Sequence, residues 1–132
     1  MGPLAIAIAA GGGFSSYEKG VMSEGDGIGA TTVNHAVLLV GYGTDAETGE
    51  DFYKVRNSWG SLYGESGYIR FKRTPDDANL CGMDTDPLVG TACALDEDGN
   101  KLTPEPVKVC GNNAILFDAS YPTGVNSWST FA

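Results

Sequence analysis

Apolar residues along the chain gather in short runs, at residues 4–10, 36–42, 52–56, 68–72, 107–110 and 114–117, separated by stretches rich in Gly, Asp and Asn. Runs of this length, weighted toward Val, Ile, Leu, Phe and Tyr and bounded by turn formers, predict strands. The run at 36–40 is continuously apolar, which predicts a central strand buried on both faces, whereas residues 68–72 alternate, as a strand with one solvated face does. Between the second and third runs, residues 44–51 form a polar, acidic hairpin loop. The one segment that reads as helical is a turn or two at residues 15–19, after Gly11-Gly12-Gly13. Residues 84–106 read as a loop rich in Asp, Glu, Gly, Thr and Pro.

Composition agrees with this picture. The 19 glycines among 132 residues suit a loop-rich β structure better than a helical one. The length allows one modest domain. With 8 basic and 17 acidic residues the formal charge is -9 and no Lys/Arg cluster is present, which argues against nucleic acid or an anionic membrane as a partner. No apolar run approaches a bilayer span, and no leader-like pattern opens the sequence. The three cysteines, Cys81, Cys93 and Cys110, cannot all pair within one chain.

The candidate chemistry centres on the single histidine. His35 stands at the mouth of the apolar run, and two strands later comes Asn57-Ser58-Trp59-Gly60 in a glycine-punctuated loop. Antiparallel strands can bring His35 beside Asn57, whose Oδ1 would accept the imidazole N–H and fix its tautomer, with Trp59 shielding the bond from water. The alternative for the same residues is a turn Asn and a core Trp.

The string Asn34-His35-Ala36-Val37-Leu38-Leu39-Val40-Gly41-Tyr42-Gly43, followed by Asn57-Ser58-Trp59-Gly60, Gly64-Glu65, Gly67-Tyr68-Ile69 and Asn79-Leu80-Cys81-Gly82, resembles the papain and cathepsin L type of cysteine protease in order and spacing. Gly2-Pro3-Leu4-Ala5-Ile6-Ala7 and Ala119-Ser120-Tyr121-Pro122-Thr123 resemble the ends of that family's C-terminal half, with an insertion at about residues 84–113. The fold implied is α+β, mostly antiparallel β: the right-hand, barrel-like domain of the papain-like fold, which packs on a helical left-hand domain. The implied activity is peptide-bond hydrolysis by a Cys-His-Asn mechanism, with His35 and Asn57 as catalytic residues, Trp59 in support, and no cofactor or metal.

The sequence departs from the family pattern in ways that carry consequences. The nucleophilic cysteine belongs upstream of the histidine in a Cys-Gly-Ser-Cys-Trp-like segment, with the oxyanion-hole glutamine, and neither is present. The expected partner is therefore a Cys-bearing N-terminal half of the same enzyme, and the chain alone is expected to be inactive. The family's usual disulfide joins the cysteine matching Cys81 to one shortly before the histidine, and residues 21–34 contain none. Cys81 is then free or bridges into the insertion, and Cys93 with Cys110 is the other candidate pair. The second Trp of the family's Asn-Ser-Trp-Gly-x-x-Trp-Gly string is Tyr63 here, expected to keep an aromatic wall on the leaving-group side.

Carried over by position, substrate contacts fall on Asn34, Ala7, Ala36 and an aspartate of the last strand. Counting forward from Cys81 gives Asp86; counting back from Tyr121-Pro122 gives Asp118, which is favoured because the insertion separates Asp86 from the terminal strand. An aspartate there would accept a basic as well as an apolar side chain. The resemblance implies a lysosomal, vacuolar or secreted enzyme acting on peptides or proteins. A non-catalytic homologue serving as a binding module is the competing reading.

Overall fold

The computed structural model describes residues 2–23, 28–89, 95–102 and 104–123. The described residues form eight strands: β1 (Leu4–Ile8), β2 (Val21–Met22), β3 (His35–Thr44), β4 (Asp51–Arg56), β5 (Tyr68–Lys72), β6 (Cys81–Asp84), β7 (Val107–Cys110) and β8 (Asp118–Ser120). Six of them form one sheet in the order β2-β5-β4-β3-β1-β8, and β6 pairs with β7 in a separate antiparallel hairpin. Every pairing in the large sheet is antiparallel except β2 with β5. The fold is thus mostly antiparallel β, and helix among the described residues is limited to 3₁₀ turns at Gly12–Ser16 and Asn112–Ala114. No helix among them is long and apolar enough to cross a membrane.

Alternation sorts the side chains onto two faces. Ile6 and Ile8 of β1, Val37 of β3, Val55 of β4, and Ile69 and Phe71 of β5 are buried on one face, where Phe14, Tyr63 and Ile115 join them. Their neighbours along each strand point the other way, toward a more open face: Ala5 and Ala7, Ala36 and Leu38, Lys54 and Arg56.

The structure corrects three expectations. The run at 36–40 is central, between β1 and β4, yet Ala36 is exposed and Leu38 only half-buried, so it is not covered on both faces. A continuous apolar run specifies only that both faces tolerate burial; the second cover must come from another layer. Residues 114–117 are not a strand: Asn113 and Ala114 take positive φ (52° and 60°), and Leu116 N–H returns to the Cys110 carbonyl. That turn reverses the chain, and the strand β8 begins only at Asp118. The helical turn lies at Gly12–Ser16, earlier than the expected 15–19, because Phe14 must reach the core.

The acidic 44–51 loop is a hairpin connection as expected. Asp45 organises it, its Oδ1 accepting the N–H groups of Glu47 and Thr48 at 3.0 and 2.9 Å. The one disulfide among the described residues joins Cys81 to Cys110, which face each other across the β6–β7 ladder. Cys93 lies outside the described residues.

Candidate active site

β3 begins at His35, and β4, its neighbour in the sheet, ends at Arg56, so the first residue of one strand meets the residue just beyond the other. His35 Nε2 and Asn57 Oδ1 are 2.9 Å apart. Ser58 N–H also donates to that oxygen, at 2.8 Å, which fixes the orientation of the Asn57 amide. An amide oxygen only accepts, so Nε2 must carry a proton and Nδ1 is left to exchange one. Asn57 is 6% exposed, and its own N–H donates to the Gly67 carbonyl at 2.9 Å.

Aromatic rings hold the imidazole. Trp59 lies 5.2 Å from it, centroid to centroid, and Phe14 lies 5.6 Å away, edge-on at 71°. Trp59 keeps 47% of its surface exposed, so part of the ring stays open to solvent. Phe14 was not foreseen from the sequence. It is fully buried, packs edge-on against Trp59 at 5.2 Å, and stacks on Phe71 at 6.0 Å. The only local signal for it is one large apolar residue set in a glycine-rich loop that otherwise has nothing to bury.

An ion cluster anchors the loop that carries Asn57 and Trp59. Arg70 of β5 forks onto Glu65, with Nε to Oε2 at 2.8 Å and Nη2 to Oε1 at 2.5 Å, and its Nη1 donates to Asp45 Oδ2. Glu65 Oε1 also accepts Gly20 N–H at 3.0 Å. The backbone N–H of Thr48, with Arg70 beside it, holds the Asp45 carboxyl down at about 2. Burial alone would raise Glu65, but Arg70 and the Gly20 N–H outweigh it and the carboxyl is lowered. Gly64 is required here: it has φ +49°, and an added Cβ would fall 2.6 Å from both the Tyr17 ring and the Tyr68 carbonyl oxygen.

The other residues singled out from the sequence divide into two groups. Ala36, Ala7 and Asp118 are direct cross-strand partners on β3, β1 and β8, forming one row on the open face. Asp86 is not in that row: it follows β6, with its N–H on Asp84 Oδ1. Beside the row, Ala36, Leu38, Arg56, Asn57, Ser58 and Tyr68 are among the residues lining a depression of about 650 Å³. Asn34 spends its side-chain oxygen on Ala10 N–H at 2.9 Å, tying the approach to His35 to the end of β1. Tyr63 is not an exposed wall. It is 9% exposed and lies beneath Trp59, with its hydroxyl donating to the Phe14 carbonyl at 2.8 Å. A ring at that position has core on both sides, and the hydroxyl finds its partner inward.

The arrangement defines a class of site, an imidazole whose tautomer is set by an amide at the edge of an antiparallel sheet, suited to proton transfer to and from a reacting group. A family model described as papain family cysteine protease matches residues 1–91. The chain belongs to that family. It is 44% identical to ananain of Ananas comosus over 90 residues, covering 67% of this chain and 25% of ananain. It is also 44% identical to cathepsin L of Sarcophaga peregrina over 86 residues, 64% of this chain and 24% of that protein. The chain thus spans about a quarter of the length of these relatives. Among solved structures, a Carica candamarcensis cysteine protease superposes on 89% of this chain and 37% of its own, with a TM-score of 0.52 and 27% identity. Digestive procathepsin L2 from the larval midgut of Tenebrio molitor covers 58% of this chain and 23% of its own, with a TM-score of 0.50 and 38% identity.

Proposed function

We propose that this chain supplies the acid/base half of a papain-type cysteine peptidase, with His35 as the proton-transfer residue, Asn57 as its orienting amide and Trp59 as its cover. The observation that carries the reading is the 2.9 Å contact between His35 Nε2 and an Asn57 oxygen whose orientation Ser58 N–H fixes. The nucleophile comes from a Cys-bearing half outside these residues, because Cys81, Cys93 and Cys110 all follow both His35 and Asn57 and none stands in a Cys-Gly-Ser-Cys-Trp-like segment. Its thiolate, paired with the imidazolium, attacks the peptide carbonyl carbon. His35 then gives the Nδ1 proton to the leaving amine, and a thioester remains. Water attacks the thioester, His35 takes up its proton, and the thiolate is released with the acid product. Alone, the chain cleaves nothing.

Substrate selection is assigned to the open face. The row Ala36, Ala7 and Asp118 would receive the second residue before the scissile bond, and the exposed Asp118 carboxylate at its end would pair with Arg or Lys. The disulfide suits an oxidising setting, in keeping with a lysosomal, vacuolar or secreted enzyme.

The test is co-expression with a papain-type N-terminal half and assay on Phe-Arg and Arg-Arg reporter peptides. His35→Ala should lower kcat/KM by about 10²–10⁴-fold. Asp118→Ala should lower Arg-Arg cleavage relative to Phe-Arg. Full activity in the His35 variant would overturn its acid/base role, and an unchanged peptide ratio would remove Asp118 from the pocket.

A further inference from the structure

The strand β8 closes one edge of the large sheet, and its own residues do not fix where it sits along β1. Asp118, Ala119 and Ser120 are all exposed, so no buried face selects a register. A strand of that kind is weakly specified, and a slip of one residue turns every side chain to the opposite face. Yet the pairing is definite: Ala7 faces Asp118, Ile6 faces Ala119 and Ala5 faces Ser120. The register must therefore come from the turn that delivers the strand.

Asn113 gives that turn a directional hold on the end of β1. It is 1% exposed and takes up both backbone groups of Ala9: its carbonyl accepts Ala9 N–H at 2.9 Å, and its Nδ2 donates to the Ala9 carbonyl at 2.9 Å. Its own N–H donates to the Ile28 carbonyl at 2.8 Å. From Asn113 to Asp118 is five steps along the chain, whereas from Ala9 to Ala7 is two. The surplus is folded into the turn, where Leu116 N–H donates to the Cys110 carbonyl at 3.0 Å and Phe117 N–H to the Ala114 carbonyl at 2.9 Å. Ile115 anchors the same turn in the core, but apolar burial has no direction and sets depth rather than register.

We infer that Asn113 is a positioning residue for substrate selection: its two-point clamp on Ala9 sets the register of β8 on β1 and so places the Asp118 carboxylate in the row with Ala7 and Ala36. A slip of one residue toward the chain end would bring Ala119 opposite Ala7 and turn Asp118 away from the open face. The specificity part of the inference rests on the proposed pairing of Asp118 with a basic substrate residue.

The register is read by NMR in the 132-residue protein, from cross-strand proton contacts between Ala7 and Asp118 and between Ala5 and Ser120. Asn113→Gly keeps the positive φ of 52° and the backbone bonds and removes only the amide. It should abolish those contacts and lower hydrogen-exchange protection of β8 about tenfold, the scale of one lost hydrogen bond, while β3, β4 and β5 keep theirs. Contacts and protection at parent values would overturn the inference. Should the variant also lose protection in β3, β4 and β5, Asn113→Asp decides, since a carboxylate fills the site and cannot donate to Ala9. Lost β8 contacts over an intact sheet then support the clamp, and parent-like contacts or a second loss of the whole sheet overturn it. In the enzyme co-expressed with a papain-type N-terminal half, Asn113→Gly should lower Arg-Arg cleavage relative to Phe-Arg about two- to fivefold, the scale of one exposed ion pair. It should add nothing in the Asp118→Ala background. If Asp118→Ala lowers the ratio and Asn113→Gly does not, the role given to Asn113 is wrong. If Asp118→Ala leaves the ratio unchanged, the pocket reading fails and the specificity assigned to Asn113 fails with it.

Discussion

Two regions of this molecule are held together by different means. The large sheet surrounds Phe14, a fully buried ring in contact with His35, Trp59, Tyr63 and Phe71, with Ile8, Val55 and Ile69 also fully buried around it. The β6–β7 hairpin and the turn after it have a smaller core of Ala9, Val109 and Ala114, with Ile28, Ala30 and Val33 against it. Here the buried groups are polar as well. Asp84 accepts Val33 N–H at 2.9 Å, Asn112 donates to the Lys72 carbonyl at 2.9 Å, and Asn113 donates to the Ala9 carbonyl at 2.9 Å. Large rings bury enough apolar area to hold the sheet. The second region has few large side chains, and specific polar contacts and a covalent link take their place.

Phe14 is the side chain on which the large sheet depends most. Phe14→Ala should lower stability by about 3–5 kcal/mol, the cost of a vacated aromatic site in a packed core. It should unfold the sheet and expose Trp59, read as a red shift of tryptophan emission together with the fall in melting temperature. A change below about 1 kcal/mol would mean that the sheet does not depend on that ring.

Next in size is the disulfide. Cys110→Ser opens a link between residues 29 apart in sequence, and should cost about 3 kcal/mol. Hydrogen exchange separates the two regions in this variant: protection should be lost first in β6 and β7, while β3, β4 and β5 retain theirs. Equal loss in both regions would show that they unfold as one unit, and the contrast between them would disappear.

The smallest expected effect sharpens the comparison within the sheet, at the clamp of Asp45, Arg70 and Glu65. The Thr48 N–H and Arg70 hold the Asp45 carboxyl at about 2 in the folded chain, against 3.8 ordinarily. The unfolded chain therefore binds more protons between those values, and the stability Asp45 contributes is present above pH 3.8 and lost as pH falls toward 2. Asp45→Asn should lower the melting temperature near pH 7, leave values near pH 2 little changed, and so flatten the acid limb of a plot of melting temperature against pH over that window. A variant with the parent's acid limb would place the acid sensitivity elsewhere.

Much of the sheet was legible in the sequence, because alternation and turn residues are local properties. The alternating run at 68–72 became β5 with Ile69 and Phe71 inward, and the acidic 44–51 loop became a hairpin connection nucleated by Asp45. The two-residue strand β2 and the Cys-Gly-Met-Asp strand β6 carry no alternation and were not foreseen. They exist because β5 and β7 offer them ladders. The last strand was misplaced because positive φ at Asn113 and Ala114 turns an apolar stretch back on itself.

The sequence by itself determined the family and the residue types of the site, since His35, Asn57, Trp59 and the glycines between them form a string whose order and spacing need no coordinates to read. It also supplied the two candidate aspartates. Tertiary structure decided which aspartate shares a row with Ala7 and Ala36, that Cys81 bonds to Cys110, and that Tyr63 turns its hydroxyl inward to Phe14. Each of these depends on which distant segments become neighbours. Strand order and register set that, through packing over the whole sheet, and no local pattern of residues encodes it.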